Sequence, residues 1–271
     1  MRDIFGDFSD TKLVKTVIEA NWENYHYCLG RSPTVELSVG RYLTWFVTAM
    51  PDHFMNVVVC TELPSEGMHQ LIENAMSHFK ALNIKKLTWL IRDDVPAAEA
   101  RKHLEAYGLT FTESFGAEMA ADLRMVRDRG SVPNGLRIVV VENETMLRKW
   151  IHVASIGFGV PQDVENIWYD FFETAAWERP FRTYLALLDG EPVGTSQLFT
   201  SAGVAGIYNV TCLPETRGQG IGAAITLAPL LEAREMGYRV GILQASSLGQ
   251  RVYRRLGFEN FGTLSVYLWE Q

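Results

Sequence analysis

Residues Val210 to Gly222 read Val-Thr-Cys-Leu-Pro-Glu-Thr-Arg-Gly-Gln-Gly-Ile-Gly. Ahead of this stretch, the apolar run Val204 to Val210 has strand character. After it, Ile221, Ala224, Ile225, Ala228 and Leu231 recur at helical spacing. A strand therefore enters a helix through closely spaced glycines. Without a Cβ, glycine lets backbone amides approach a ligand. The first amides of a helix have no partner within it, and the dipole at that end favours anions. With the Arg217 guanidinium beside them, these groups read as a phosphate cradle.

Three glycine-rich patterns compete for this stretch. A P-loop requires Lys followed by Ser or Thr after its last glycine, and Ala223-Ala224 stand there instead. The dinucleotide fingerprint requires Gly-x-Gly-x-x-Gly in an opening strand-turn-helix unit. Here Gly218, Gly220 and Gly222 are evenly spaced and late in the chain. The third pattern, Arg-Gly-x-Gly-x-Gly after a strand ending in Val-Thr, is complete. It resembles the acyl-CoA pyrophosphate loop of the GCN5-related N-acetyltransferases (GNATs). A second match follows, in which Val252-Tyr253 precedes Leu256-Gly257-Phe258. The resemblance is strong over about 204–269, moderate over 136–199 and weak before that.

The resemblance implies an α/β fold with a mixed sheet flanked by helices, and acetyl-CoA as co-substrate. It implies that Val210, Thr211, Cys212, Arg217, Gly218, Gln219, Gly220, Ile221 and Gly222 hold the cofactor. In the family the strand bearing Val210 and Cys212 splays from the next one near Gln244, and the pantetheine arm pairs with the exposed edge like an added strand. A backbone amide there polarises the thioester carbonyl. The family usually has Asn seven positions before the tyrosine; this chain has Ser246, which can bond to the arm or to a backbone group and, with a single donor, constrains less than an amide.

Tyr253 is implied as the general acid that protonates the departing thiolate; a core aromatic with its hydroxyl at the surface is the plainer alternative. Cys212 reads as a core residue, with an acyl-cysteine role conceivable only beside a base. No carboxylate stands on the strand before the cradle, which offers Tyr208 and Asn209. Glu173 and Asp170 are the nearest candidate bases by family topology, and a water chain is equally compatible. Arg251, Arg254 and Arg255 either meet nucleotide phosphates or form an exposed helix face. Six scattered histidines give no metal-ligand spacing, and thioester aminolysis needs no metal.

A net charge of −7 argues against broad nucleic-acid binding, which needs a basic footprint. Cys28, Cys60 and Cys212 are too scattered for a disulfide framework and suggest reduced thiols in the cytoplasm. The longest apolar runs fall short of a membrane span, and the opening Met-Arg-Asp turns acidic too early for a signal peptide. A small-molecule or peptide amine is the expected acceptor, acted on by a monomer or a homodimer.

Periodicity predicts a helix over 10–29, strands over 43–47 and 57–63, a turn at 50–52, a helix over 64–82, a strand over 87–91, a helix over 96–107 and a strand over 117–123. Arg124 to Gly135 looks like a linker. The second half then reads strand, two helices, a strand meander, helix, strand, helix, strand. Leu63-Pro64 repeats as Leu213-Pro214, and Gly108-Leu109 as Gly257-Phe258. These repeats suggest two tandem GNAT folds: a degenerate domain over 1–125 without the glycine loop, a linker over 126–135 and a catalytic domain over 136–271. Trp45, Phe54 and Trp89 are candidates to wall the acceptor pocket, with core packing as the default. A non-catalytic acyl-CoA sensor and an acyltransferase acting on a hydroxyl are the competing functions.

Overall fold

The computed structural model describes residues 8–271 apart from 33–34, 49, 52, 54, 61–65, 93–96, 113–115, 128–131 and 178. Its elements in chain order are α1 (Thr11–Leu29), β1 (Val35–Val39), β2 (Leu43–Thr48), β3 (Asn56–Cys60), α2 (Met68–Ala81), β4 (Lys86–Arg92), α3 (Ala97–Ala106), β5 (Thr110–Phe111) and β6 (Ala117–Asp122). There follow β7 (Leu136–Val140), α4 (Glu144–Phe158), α5 (Glu165–Ala176), β8 (Phe181–Leu188), β9 (Glu191–Ser201), β10 (Val204–Cys212), α6 (Ile221–Glu235), β11 (Val240–Ala245), α7 (Ser247–Leu256) and β12 (Glu259–Glu270). Short 3-10 turns at Gln162–Val164 and Pro214–Thr216 lead into α5 and the glycine stretch. The architecture is α/β, with mixed sheets flanked by helices.

The chain divides into two compact units, one of residues 1–29 with 118–261, the other of 30–117 with 262–271. The expected boundaries, 1–125, 126–135 and 136–271, do not follow this division, which departs from them at both ends. The apolar stripe of α1 explains the first departure. Val14 and Ile18, both 0% exposed, bury with Val204, Val240 and Ile242 of the larger unit. Ladder pairing explains the second. β12 runs antiparallel to β4, from Leu264 opposite Arg92 to Glu270 opposite Lys86, so the last strand completes the smaller unit.

In the larger unit the strands lie in the order β6-β11-β10-β9-β8-β7. β7, β8, β9 and β10 are antiparallel neighbours, and β10 pairs β11 in parallel. Contacts with the strands and with one another sort the helices by face. Tyr25 of α1 meets Phe199 edge-on, and α1 and α4 both pack on α5. On the other face Ser196 donates to the Ile225 carbonyl of α6 at 2.7 Å, and α7 packs on α6. Strand alternation therefore gives Thr183, Gln197 and Phe199 to the α1 face, and Tyr184 and Ser196 to the α6 face.

In the smaller unit the order is β1-β2-β3-β4-β12, with β5 beside β12. Its core gathers Ile72, Met76, Phe79, Trp89, Leu104 and Tyr267. Trp89 is 1% exposed within it, and the Trp45 indole donates to Glu36 at 2.9 Å and packs on Phe79. Both tryptophans thus take their default role in the core, and Phe54 lies outside the described residues, as do Asp52 of the expected 50–52 turn, Leu63-Pro64 and Pro96. The helix expected from 64 is described from Met68. The expected linker is described only in part, without 128–131, and β1 and β5 were not anticipated.

The succession β3-α2-β4-α3 repeats as β10-α6-β11-α7. In each copy the first helix is N-capped by a left-handed glycine, Gly67 at φ 80° and Gly220 at φ 86°. In each copy a glycine of positive φ follows the second helix, Gly108 and Gly257. The N-cap glycines align three residues beyond the offset set by Leu63-Pro64 and Leu213-Pro214. One pairing differs between the copies. β3 and β4 stay in register from Val57 opposite Thr88 to Cys60 opposite Ile91. β10 and β11 pair only at Ala205 opposite Gly241 and Gly206 opposite Ile242.

Candidate functional site

Two irregularities open the sheet at the end of β10. After Gly206 the strand leaves register with β11. Between Tyr208 and Thr211 it bulges, placing Asn209 and Val210 against Ser196 alone, with Asn209 at φ 53°. The Thr195 hydroxyl pins the bulge by donating to the Asn209 carbonyl at 2.8 Å. Beyond it the Leu213 amide donates to the Val193 carbonyl of β9 at 3.0 Å. Alternation along the strand then turns the Cys212 amide to the opposite edge, into the gap beside β11.

The glycine stretch follows directly. Gly218 and Gly220 take positive φ, 78° and 86°, which L side chains tolerate poorly. No side chain caps α6, and its first helical hydrogen bond runs from the Ala224 amide back to the Gly220 carbonyl. The amides of Ile221, Gly222 and Ala223 therefore precede the ladder and are available to an anion. Gln219 and Gly218 are exposed at the mouth. Arg217 is engaged locally: its guanidinium donates to the Cys212 carbonyl at 3.3 Å and the Gly157 carbonyl at 3.0 Å. These bonds brace the turn against α4, and the residue stays exposed to solvent.

Tyr253 comes to the same place from α7. Its ring packs so closely over Gly249 that a Cβ there would lie 2.7 Å from Cε2. The residue is 8% exposed. Burial pushes its phenol up to about 12; a hydrogen bond with Thr226 of α6 opposes that, and neighbouring Cys212 adds to it. The hydroxyl therefore stays protonated at neutral pH. Cys212 lies on the same face, its Sγ 3.3 Å from where a Cβ on Gly194 would sit. Burial raises its thiol to about 11, with Arg217 pulling the other way, so it is a poor nucleophile.

Ser246 bonds to a backbone group, one of its two expected partners. Its Oγ caps α7, accepting from the Gly249 amide at 3.2 Å, so its acceptor is committed to the helix. Asp170 and Glu173 are exposed on α5, and Glu173 accepts from the Tyr169 hydroxyl at 3.0 Å. Arg251, Arg254 and Arg255 are an exposed helix face, with Arg254 donating to Gln250 at 3.2 Å.

The α1 face of the opening carries a polar cluster that motif matching missed. The Asn209 amide donates to the Tyr25 hydroxyl at 2.9 Å and to Gln197 at 3.2 Å. Tyr25 stacks on Tyr208 with ring centroids 3.9 Å apart. The Tyr208 hydroxyl donates to Asn21 at 2.7 Å. The signal for it was in the sequence: Asn21 and Tyr25 are four apart on the otherwise apolar stripe of α1.

Residues 179–260 match the family model of the acetyltransferase (GNAT) domain. Over this segment the chain is similar to a GNAT domain. That match spans the meander, the splayed strand pair, the glycine stretch and Tyr253. Solved structures of similar fold extend over both units. A GCN5-related N-acetyltransferase from Kribbella flavida is 20% identical, with 94% of this chain and 95% of that one covered at a TM-score of 0.69. One from Sphaerobacter thermophilus is 18% identical over 98% and 94% at 0.60. A tandem GNAT protein from the clavulanic acid biosynthesis pathway is 16% identical over 97% and 96% at 0.58. No curated protein sequence matches the chain. The fold is thus that of tandem GNAT proteins, with the family match confined to the second repeat.

Proposed function

We propose that this protein transfers an acetyl group from acetyl-CoA to a primary amine by direct attack on the thioester. The observation that carries the reading is the meeting of three features at one opening. These are the uncapped, glycine-lined start of α6, the gap between β10 and β11, and the buried, protonated hydroxyl of Tyr253. The amides around Gly218 to Gly222 would hold the pyrophosphate, supported by the positive end of the helix. Val210, Thr211 and Cys212 would present their edge to the pantetheine arm, with the Cys212 amide turned toward the acyl carbonyl.

In the reaction the amine nitrogen attacks the carbonyl carbon, and the C–S bond breaks as the tetrahedral intermediate collapses. The phenol of Tyr253 gives its proton to the departing thiolate. Its high affinity for protons keeps this acid loaded at neutral pH. The smaller unit is read as a second GNAT fold without an acyl-CoA site. Its strands β3 and β4 stay paired where β10 and β11 part, which leaves no edge for the arm.

The test is incubation with acetyl-CoA and a library of primary amines, read by thiol release, alongside calorimetry of coenzyme A binding. Tyr253→Phe is expected to lower kcat about a hundredfold while acetyl-CoA affinity holds. An intact kcat in that variant removes the general acid. Coenzyme A binding without turnover on any amine or alcohol would return the sensor reading. No binding at all would end the proposal.

A further inference from the structure

The base missing from β10 has a candidate on β6. The Leu123 amide donates to the Arg239 carbonyl at 2.8 Å. β6 leads into that contact and β11 leads out of it, so the two neighbours are antiparallel. Ala120 buries with Val240 and Ile242, as this register requires. Carried five residues along each strand, the register sets Glu118 directly across from Gln244. Side chains facing each other in this way have Cβ atoms about 5 Å apart.

Both residues lie at the opening. Gln244 comes two positions after Ile242, the last residue of β11 in register with β10. Alternation gives Gln244 the face of Ile242, and so the face covered by α1. Tyr208 shares it through its bond to Asn21. Burial, with Tyr25 and Glu118 as further neighbours, holds the Tyr208 phenol well above its ordinary range, which places the Glu118 carboxyl near that phenol. Glu118 is 4% exposed. The Gln244 Nε2 is buried and has no acceptor, a cost the fold carries unless a ligand atom supplies one. Tyr253 stands on the other face, so the acid and this cluster flank the gap from opposite sides.

Resting on the acyltransfer reading above, we propose that Glu118 is the acceptor site's carboxylate: it holds the substrate ammonium on the α1 face and takes its proton before attack. An ammonium meeting a buried carboxylate makes a charge-assisted hydrogen bond, which a hydroxyl acceptor does not. The first nitrogen proton passes to Glu118 and on to solvent. The nitrogen then bonds to the acyl carbon, the C–S bond breaks, and Tyr253 protonates the thiolate. The second nitrogen proton restores the phenol. Gln244 Nε2 donates to a substrate oxygen at the same opening. The class of acceptor is therefore primary amines in preference to alcohols.

The experiment compares matched amines and alcohols, propylamine against propanol and benzylamine against benzyl alcohol. Binding to the full chain is measured by calorimetry, with and without a non-reactive thioether analogue of acetyl-CoA. Wild type is expected to favour the amine of each pair by about tenfold or more. Glu118→Gln is expected to abolish that preference while analogue affinity is unchanged. Glu118→Asp, whose shorter reach keeps the charge, is expected to retain the preference at reduced affinity and serves where the Gln variant does not fold. A preference that survives Glu118→Gln, unchanged amine affinity in Glu118→Asp, or wild type that binds amine and alcohol alike overturns the proposal. Failure of the analogue to bind wild type would instead overturn the acyltransfer reading, since the amine preference is read without it.

Discussion

The Tyr208 hydroxyl donates to Oδ1 of Asn21 at 2.7 Å, joining the strand that opens the sheet to a helix near the start of the chain. Asn21 is 0% exposed, and its amide donates to the carbonyls of Ser201 at 3.0 Å and Phe199 at 3.5 Å. Every polar atom of this side chain is spent inside the larger unit. Asn21→Leu fits a similar volume but strands the Tyr208 hydroxyl and the Ser201 carbonyl in an apolar setting. Each buried group left unpaired costs about 1–3 kcal/mol, so a loss of roughly 2–4 kcal/mol is expected. Urea unfolding measures it. Tyr208→Phe, which removes only one of these partners and keeps the ring stacked on Tyr25, is expected to cost less.

Gly220 caps α6 in the left-handed region, at φ 86° and ψ −6°. Gly220→Ala forces a Cβ into that conformation at a cost of about 1–2 kcal/mol. It also crowds the amides proposed to meet the pyrophosphate. Calorimetry should show coenzyme A affinity falling by more than the loss in stability accounts for. The matching change in the smaller unit, Gly67→Ala at φ 80°, should cost similar stability and leave coenzyme A affinity alone.

His26 sits partly buried on α1, with Nδ1 2.9 Å from the Trp22 carbonyl and its ring 3.9 Å from the Trp22 ring. Burial lowers it to about 4, against a partial opposing effect from that carbonyl. The unfolded chain takes up this proton near pH 6.5, where the folded one does not. Stability from this residue is therefore full above about pH 6.5 and falls as pH drops toward 4. The gap corresponds to about 3 kcal/mol at full burial, and the solvent-facing edge of the ring trims this to about 1–2 kcal/mol. Urea unfolding between pH 7 and 4.5 should show the decline, flattened in His26→Asn. Burial also raises the Glu23 carboxyl, one turn away, above its ordinary range.

What could be read before the structure was known divides along one physical line. Local signals placed the elements: α1 falls at Thr11–Leu29 against an expected 10–29, and β2 at Leu43–Thr48 against an expected 43–47. The glycine-lined start of α6 was legible because glycine spacing, strand and helix are all neighbours in sequence. Long-range pairing was not. Nothing local in Val14, Ile18 or Asn21 says which sheet α1 covers, and nothing in Leu264 to Trp269 says that β4 is its partner. Arg217 and Ser246 stand where the motif placed them, but their side chains answer nearby backbone groups, Arg217 at Gly157 and Ser246 at Gly249, which a pattern of residue types does not encode. Glu118 escaped notice because its neighbour Gln244 is far along the chain.

The pairing of β12 with β4 makes the end of the chain a structural part of the smaller unit. Tyr267, 1% exposed, and Trp269, 6% exposed, pack into its core, and Phe111 meets Tyr267 edge-on at 5.3 Å. A chain ending at Phe261 would leave β4 with a bare edge and its core without two large aromatic side chains, a loss beyond what such a unit withstands. Hydrogen exchange should find the amides of Leu87 to Ile91 deprotected in the truncated chain, while Leu198, Phe199 and Ile225 of the larger unit keep their protection. Had the last strand belonged with the GNAT motif that precedes it in sequence, the loss would fall on those latter amides and spare β4.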